Sequence, residues 1–326
     1  MELLDIDASL GDIVRTSYNL ERANRLAREN PEKLVEVSEK IVDDQINRIV
    51  ECIIDKKYKF VLLAGPSSSG KTTTTHFIAN KLNDKGVMAV VISLDDFFID
   101  LDKCPLQPDG TVDKETISKL DLPLFNKFFT DIMKTNKALM PEFDFTKQKR
   151  KEKFVPIKID EGDVVLVEGT HALNPELITN KNYSSKVLKV FACVNSEFYI
   201  GKEVVITPRR LRLIRRIVRD MQTRGTSVED TVKYWNVVCK GEDLYIGPYK
   251  DSADFIVDTT HIYEPLVYDK FLPKLLKPIQ NERFAKELLG VFGRTASLNK
   301  KYVPDNSLIW RSEEHTSELQ SPVPIS

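Results

Sequence analysis

The sequence predicts an α/β fold: a mostly parallel five-stranded sheet with helices on both faces. Three observations lead there. Five short apolar runs, at 58–64, 87–93, 163–168, 187–194 and 253–258, are separated by stretches with helical spacing. Each run is near-continuously apolar rather than alternating, as strands covered on both faces are. The first run leads straight into Gly65-Pro-Ser-Ser-Ser-Gly70-Lys71-Thr72, which spells G-x-x-x-x-G-K-T, and Thr73 to Leu82 then reads as a helix.

Taken in order, residues 1–57 form a charged N-terminal helical segment. Ile41, Ile46, Ile49, Val50, Ile53 and Ile54 fall at helical spacing and give one apolar stripe that should pack on the main body. After the strand at 58–64, the glycine-rich turn points backbone N–H groups inward at a helix N-terminus, where the dipole favours anions. Gly65, Pro66, Ser67, Ser68, Ser69, Gly70, Lys71, Thr72 and Thr73 are therefore the candidate cradle for ATP. Lys71 would reach the outer phosphates and the Thr72 hydroxyl would hold Mg²⁺. Together with the strand pattern, this is the P-loop NTPase fold.

In such sheets the ligand lies beyond the carboxyl ends of the strands. Asp95, Asp96 and Glu168 occupy those positions. A carboxylate after the second strand could take the proton of an attacking hydroxyl, although adjacent acids at a strand end could equally cap the next segment. Val164-Val-Leu-Val-Glu168 is four apolar residues ending in an acid, an arrangement suited to Mg²⁺. Residues 101–160, rich in charge with proline and glycine, read as a small substrate-side insertion. From Arg209 to Arg224, Ile214, Ile217, Val218 and Met221 follow one helical face. Arg212, Arg215, Arg216 and Arg219 lie about 200° away. With Asp220 the only acid in that stretch, a lid helix at 209–224 with arginines over the phosphates is expected.

The α/β domain should span 58–275, with a C-terminal helical extension at 276–310. Arg311-Ser-Glu-Glu-His-Thr-Ser-Glu-Leu-Gln-Ser321 reads as a translated sequencing-adapter oligonucleotide, so 311–326 is expected to be a non-native tail.

Bulk properties narrow the function classes. The chain has 326 residues, is 41% hydrophobic and carries a net charge of −1. A general nucleic-acid binder would carry a basic excess. No apolar run is long enough for a membrane span, and the N-terminus lacks a secretory pattern. The four cysteines form no C-x-x-C pair and the four histidines are scattered, which suggests reduced thiols in a cytoplasmic protein without a metal cluster. A homo-oligomer is compatible with this composition.

Gly-Pro-Ser-Ser-Ser-Gly-Lys-Thr-Thr, Ile-Ser-Leu-Asp-Asp and Arg-Leu-Ile-Arg-Arg-Ile-Val-Arg-Asp, in this order, resemble the uridine kinase and phosphoribulokinase family of P-loop kinases, bacterial nucleoside kinases above all. The resemblance spans about residues 58–275. It implies Asp95 as the base on a nucleoside 5′-hydroxyl, Thr72 and Glu168 for Mg²⁺, and Lys71, Arg212 and Arg215 for the ATP phosphates. It also implies a substrate side made by Asp113 or Glu115 at the ribose, Phe143 stacked on the base, and the segment containing Gln148 and Arg150. Gln148 stands where uridine kinases carry histidine, and Arg210-Leu211 replaces their Asp-Thr. A small nucleoside-like substrate is the first expectation. A phosphosugar or pantothenate-like alcohol, or an ATP-sensing, RNA-binding protein without turnover, are the alternatives.

Overall fold

A computed structural model of the chain describes residues 16–106, 110, 112, 113, 115–307 and 309. The tail at 311–326 lies outside the described residues. The chain enters through β1 (Ser17–Asn19), α1 (Leu20–Glu29) and α2 (Pro31–Lys56). Asn19 and Asn30 accept hydrogen bonds from first-turn N–H groups of α1 and α2, and Pro31 opens α2, where its missing N–H costs nothing. The apolar stripe behaves as its spacing predicts. Ile46, Ile49, Val50 and Ile53 are buried, and Ile41 and Ile54 are partly so.

The α/β body follows: β2 (Phe60–Ala64), α3 (Lys71–Asp84), β3 (Ala89–Ser93) and α4 (Leu122–Thr135). Four short strands come next, β4 (Lys137–Met140), β5 (Phe143–Asp144), β6 (Lys149–Arg150) and β7 (Val155–Lys158). Then come β8 (Val164–Glu168), β9 (Val187–Cys193), β10 (Glu197–Ile200), β11 (Glu203–Ile206), α5 (Pro208–Thr223), α6 (Val228–Tyr245) and β12 (Phe255–Asp258). After these come α7 (Glu264–Tyr268), α8 (Leu272–Leu275) and α9 (Arg283–Phe292).

The five expected strands form one all-parallel sheet in the order β12-β9-β2-β8-β3. Alternation along β2 divides its side chains between two cores. Phe60 and Leu62 join Phe125, Phe128 and Phe129 of α4, and the Phe60 and Phe129 rings lie 4.7 Å apart. Val61 and Leu63 face Ile46 and Ile49 of α2 with Ile78 and Leu82 of α3. Helices thus cover both faces.

The stretch 101–160 is not uniformly an insertion. Its α4 belongs to the body, because an aromatic face cannot be left in water. The antiparallel pairs β4–β7 and β5–β6 stand beside the sheet. A second sheet, β1-β10-β11, was not legible in the sequence, since strands of three or four residues carry too little pattern. It shares a core with α1 and the helices from α5 onward, through Leu20, Phe198, Leu211, Ile214, Leu266 and Leu288.

Candidate active site

The P-loop joins the central strand to α3, which places it at the carboxyl edge of the sheet. Gly65 passes so close to β9 that a Cβ there would run into the Ala192 carbonyl oxygen and lie 2.7 Å from Ser69 Oγ. Gly70, at φ 85°, is the N-cap of α3 in the left-handed region that favours glycine. No side chain caps α3, whereas Asn30, Asp121, Thr207 and Ser227 cap α2, α4, α5 and α6. The open N–H groups of α3 and the buried, unpartnered hydroxyls of Ser68 and Ser69 fit an anion seated in the loop. Lys71 Nζ donates to the Pro66 carbonyl at 3.1 Å, curling back over the same turn.

Asp95 and Glu168 act on the Lys71 of this loop, and Asp96 stands beside Asp95, turned to the β5 ribbon. Ser93 Oγ accepts from the Asp95 N–H at 3.2 Å and so fixes the turn after β3. Glu168, opposite Ser93 and Leu63 in the sheet register, accepts from Thr72 Oγ1 at 3.3 Å. Burial pushes Glu168 up to about 7, with Lys71 opposing and Asp95 adding to the rise. Burial likewise depresses Lys71, against the pull of Glu168 and Asp95. Asp96 is pushed up to about 6 by burial, although it accepts from the Phe143 N–H at 3.3 Å. Thr72 and Glu168 suit a hard cation that keeps water and phosphate among its ligands. Among the described residues no group of three or more His, Cys, Asp or Glu is placed to hold a metal ion by itself.

A raised carboxyl favours the folded state below its unfolded value of 4.5, and that contribution is lost as pH rises through about 7. Glu168→Gln should therefore stabilise the ligand-free protein at pH 8, by roughly 1 kcal/mol or more, while weakening its response to Mg²⁺. Urea unfolding at pH 8 and pH 5, with and without MgATP, checks this. A variant less stable at pH 8 would show that the ionised carboxylate is internally satisfied.

The arginine helix departs from expectation. α5 is built into the body and is not a free lid, because both of its faces are packed. Leu211, Ile214, Ile217 and Val218 join the core, while Met221 is 37% exposed. Arg212 and Arg215 find acids on later elements, while Arg216 and Arg219 pair with Asp220 of α5 itself. Arg212 pairs with Glu242 of α6, lies 5.4 Å from the Trp235 ring and reaches the Ser67 carbonyl at 3.5 Å. Arg216 Nη1 donates to Ser67 Oγ at 3.0 Å. Arg219 pairs with Asp220 at 3.0 Å.

Arg215 does not face the phosphates. Nε and Nη2 donate to Glu264 of α7 at 2.6 and 2.7 Å, and Nη1 donates to Thr259 Oγ1 at 3.0 Å. Thr259 in turn donates to the Ser69 carbonyl at 2.7 Å. Arg215 thus touches the P-loop only through Thr259. Arg215→Ala should cost about 3–5 kcal/mol, because it strands Glu264 as an uncompensated buried charge. Denaturant unfolding measures this, and a loss of activity without a loss of stability would return Arg215 to the phosphates.

The substrate-side residues are only partly gathered. Asp113 accepts from the Glu115 N–H at 2.9 Å and from Tyr245 Oη at 3.0 Å. Glu115 is raised by burial, with Lys119, Arg216 and Lys71 opposing, so it lies near Arg216 of α5 and Lys71 of the P-loop. Phe143 is buried, edge-on to Phe98 at 5.6 Å and Phe145 at 5.3 Å, beside Asp96. Gln148 lies apart. It sits exposed at φ 54° in the β5–β6 turn, donating to the Phe145 carbonyl at 2.6 Å, because that tight turn needs a left-handed residue. Arg150 anchors the same ribbon, donating to Asp121 and the Phe98 carbonyl at 3.0 Å each. Arg216, Glu242 and Thr259 were not singled out by sequence. Arg216 stood in the stripe, but the other two carry no local signal.

Comparison with known proteins now bears on this geometry. Residues 60–263 match the model of the phosphoribulokinase / uridine kinase family. The chain belongs to that family. A uridine kinase of Lactobacillus helveticus is 29% identical over 196 residues, covering 60% of this chain and 83% of that protein. One from Ureaplasma parvum is 28% identical over 198 residues, covering 60% and 86%. A solved structure described as a possible uridine kinase from Bacillus stearothermophilus is also similar. It superposes with a TM-score of 0.46 at 17% identity, over 66% of this chain and 98% of that one. The phosphoribulokinase / uridine kinase match runs from β2 through the loop after β12, so it takes in the whole parallel sheet and Asp95, Asp96 and Glu168, and stops just short of Glu264. Among the described residues no helix is long and apolar enough to cross a membrane.

Proposed function

We propose that the protein is an ATP-dependent kinase that phosphorylates a hydroxyl of a small, nucleoside-like alcohol, the 5′-hydroxyl of a nucleoside first among them. One observation carries the reading. Asp95 stands just after β3 at the sheet edge, close enough to Lys71 of the P-loop and to Glu168 to shift both. The names of the relatives support a nucleoside acceptor, and the family also includes phosphosugar kinases.

In this reading MgATP supplies an electrophilic phosphoryl group whose charge the cation helps to neutralise. The chain's own residues position and discharge. Lys71, Arg212 and Arg216 hold negative charge at the P-loop, while Thr72 and Glu168 hold the cation. Asp95 takes the hydroxyl proton, and Asp113 and Glu115 accept from other hydroxyls of the acceptor. Phe143 and Phe145 offer ring edges and faces for a planar base.

The test is to incubate the protein with ATP, Mg²⁺ and, separately, uridine, cytidine, inosine, pantothenate and ribulose 5-phosphate. A nucleoside 5′-monophosphate is the expected product. Phosphorylation of pantothenate or the phosphosugar alone would keep the kinase and replace the acceptor. Transfer to none of them, with RNA bound in a salt-dependent way, would replace both.

A further inference from the structure

His171 lies three residues beyond Glu168, on the loop leaving β8 at the carboxyl edge of the sheet. Only 3% of it is exposed. Its charged neighbours come from both sides of the candidate site, Lys71 from the P-loop and Asp113 and Lys119 from the substrate-side segment. One ring nitrogen is hydrogen-bonded to the Glu115 backbone, and Nδ1 has no partner among the described residues. Few buried polar atoms in folded proteins go unpartnered, and those that do call for an explanation such as a site for a ligand. Burial and the two lysines push the imidazole down to about 4, so at neutral pH it carries one donor and one acceptor.

We propose that His171 is a further acceptor-site residue, hydrogen-bonding through Nδ1 to a hydroxyl of a bound polyhydroxy alcohol while its other nitrogen holds the Glu115 backbone in place. A polyol offers one hydroxyl to Asp95 and a second to His171. A simple monohydric alcohol satisfies only the first. This inference rests on the kinase reading above.

Three variants of the full chain test it: His171→Asn, which keeps a polar atom near the Nδ1 position, His171→Gln, which keeps one near Nε2, and His171→Leu, which keeps neither. Each is assayed with ATP and whichever of uridine, cytidine, inosine, pantothenate or ribulose 5-phosphate the wild type phosphorylates. His171→Leu and His171→Gln should raise KM for the acceptor about tenfold or more, the scale of one polar contact, with KM for ATP changed less than about twofold. His171→Asn should recover most of the loss. His171→Gln, which keeps an atom for the Glu115 backbone, should be about as stable to urea as the wild type while it loses acceptor affinity.

An unchanged acceptor KM in a folded His171→Leu protein overturns the inference alone. So does an equal loss of stability and activity in all three variants, which marks a structural histidine. If His171→Leu does not fold, His171→Gln against His171→Asn decides. A wild-type protein that phosphorylates none of the five removes the kinase reading, and this inference with it.

Discussion

Replacing Lys71 with alanine should abolish measurable phosphoryl transfer, a loss of about 10³-fold or more, and weaken ATP binding in a protein that still folds. The ammonium group is buried against the Pro66 carbonyl and is the only cation that directly offsets both Asp95 and Glu168 from within the P-loop. Its removal deletes a point charge at the phosphates and leaves two carboxylates facing each other across the same space. Glu168 would then hold its proton more tightly, rising further above its already elevated value of about 7. Turnover by the acceptor assay, nucleotide titration and thermal unfolding separate these effects. Near-normal turnover in a folded variant would remove the P-loop from the mechanism.

Asp95→Asn should keep the fold and the affinity for ATP yet lose about 10²-fold or more in rate, as expected when a proton acceptor becomes a neutral amide. The substitution is nearly isosteric, and the turn that presents the residue is fixed by the Ser93 hydroxyl on the Asp95 backbone, not by its carboxylate. Asp96→Asn should cost less. Its Oδ1 accepts from the Phe143 N–H and so ties the β5 ribbon to the turn after β3. Single-turnover rates at saturating ATP compare the two directly. If Asp96→Asn is the more damaging change, the base is Asp96.

The sheet and the P-loop were legible because each rests on a local pattern that tertiary structure had no reason to override. Buried parallel strands are apolar throughout, and a phosphate turn needs glycine at fixed offsets whatever surrounds it. The arginine helix was misread for the opposite reason. A helical period predicts one buried face and one wet one, but Arg215 meets Glu264, an acid 49 residues downstream that no window around the helix contains. Arg212 and Glu242 are a second case, paired only because α6 packs back along α5. Gln148 shows a third limit. Its place in a motif suggested a contact with the base, yet the short β5–β6 turn fixed its backbone first and pointed the amide at its own hairpin. His171 went unremarked because nothing in a lone histidine after a strand distinguishes it until its burial is known.

The strand order also governs how the chain must be made. β2 occupies the middle of the sheet, yet both of its hydrogen-bonding neighbours, β8 and β9, begin only at Val164 and Val187. At a ribosomal pace of roughly 5–20 residues per second, the edges of β2 wait on the order of 5–20 s for a partner. In that interval five buried-type residues, Phe60 to Ala64, present two open edges and two apolar faces. Closing loops of about a hundred residues before any pairing is rewarded makes this slow folding by nature. In the folded chain α2, made before β2, and α3, made directly after it, cover one face of that strand, so they are the elements able to shelter it until β8 arrives. A shortened chain ending before β9 would keep the nucleotide-binding loop in its sequence and still leave one edge of its central strand open to any other chain that reached it.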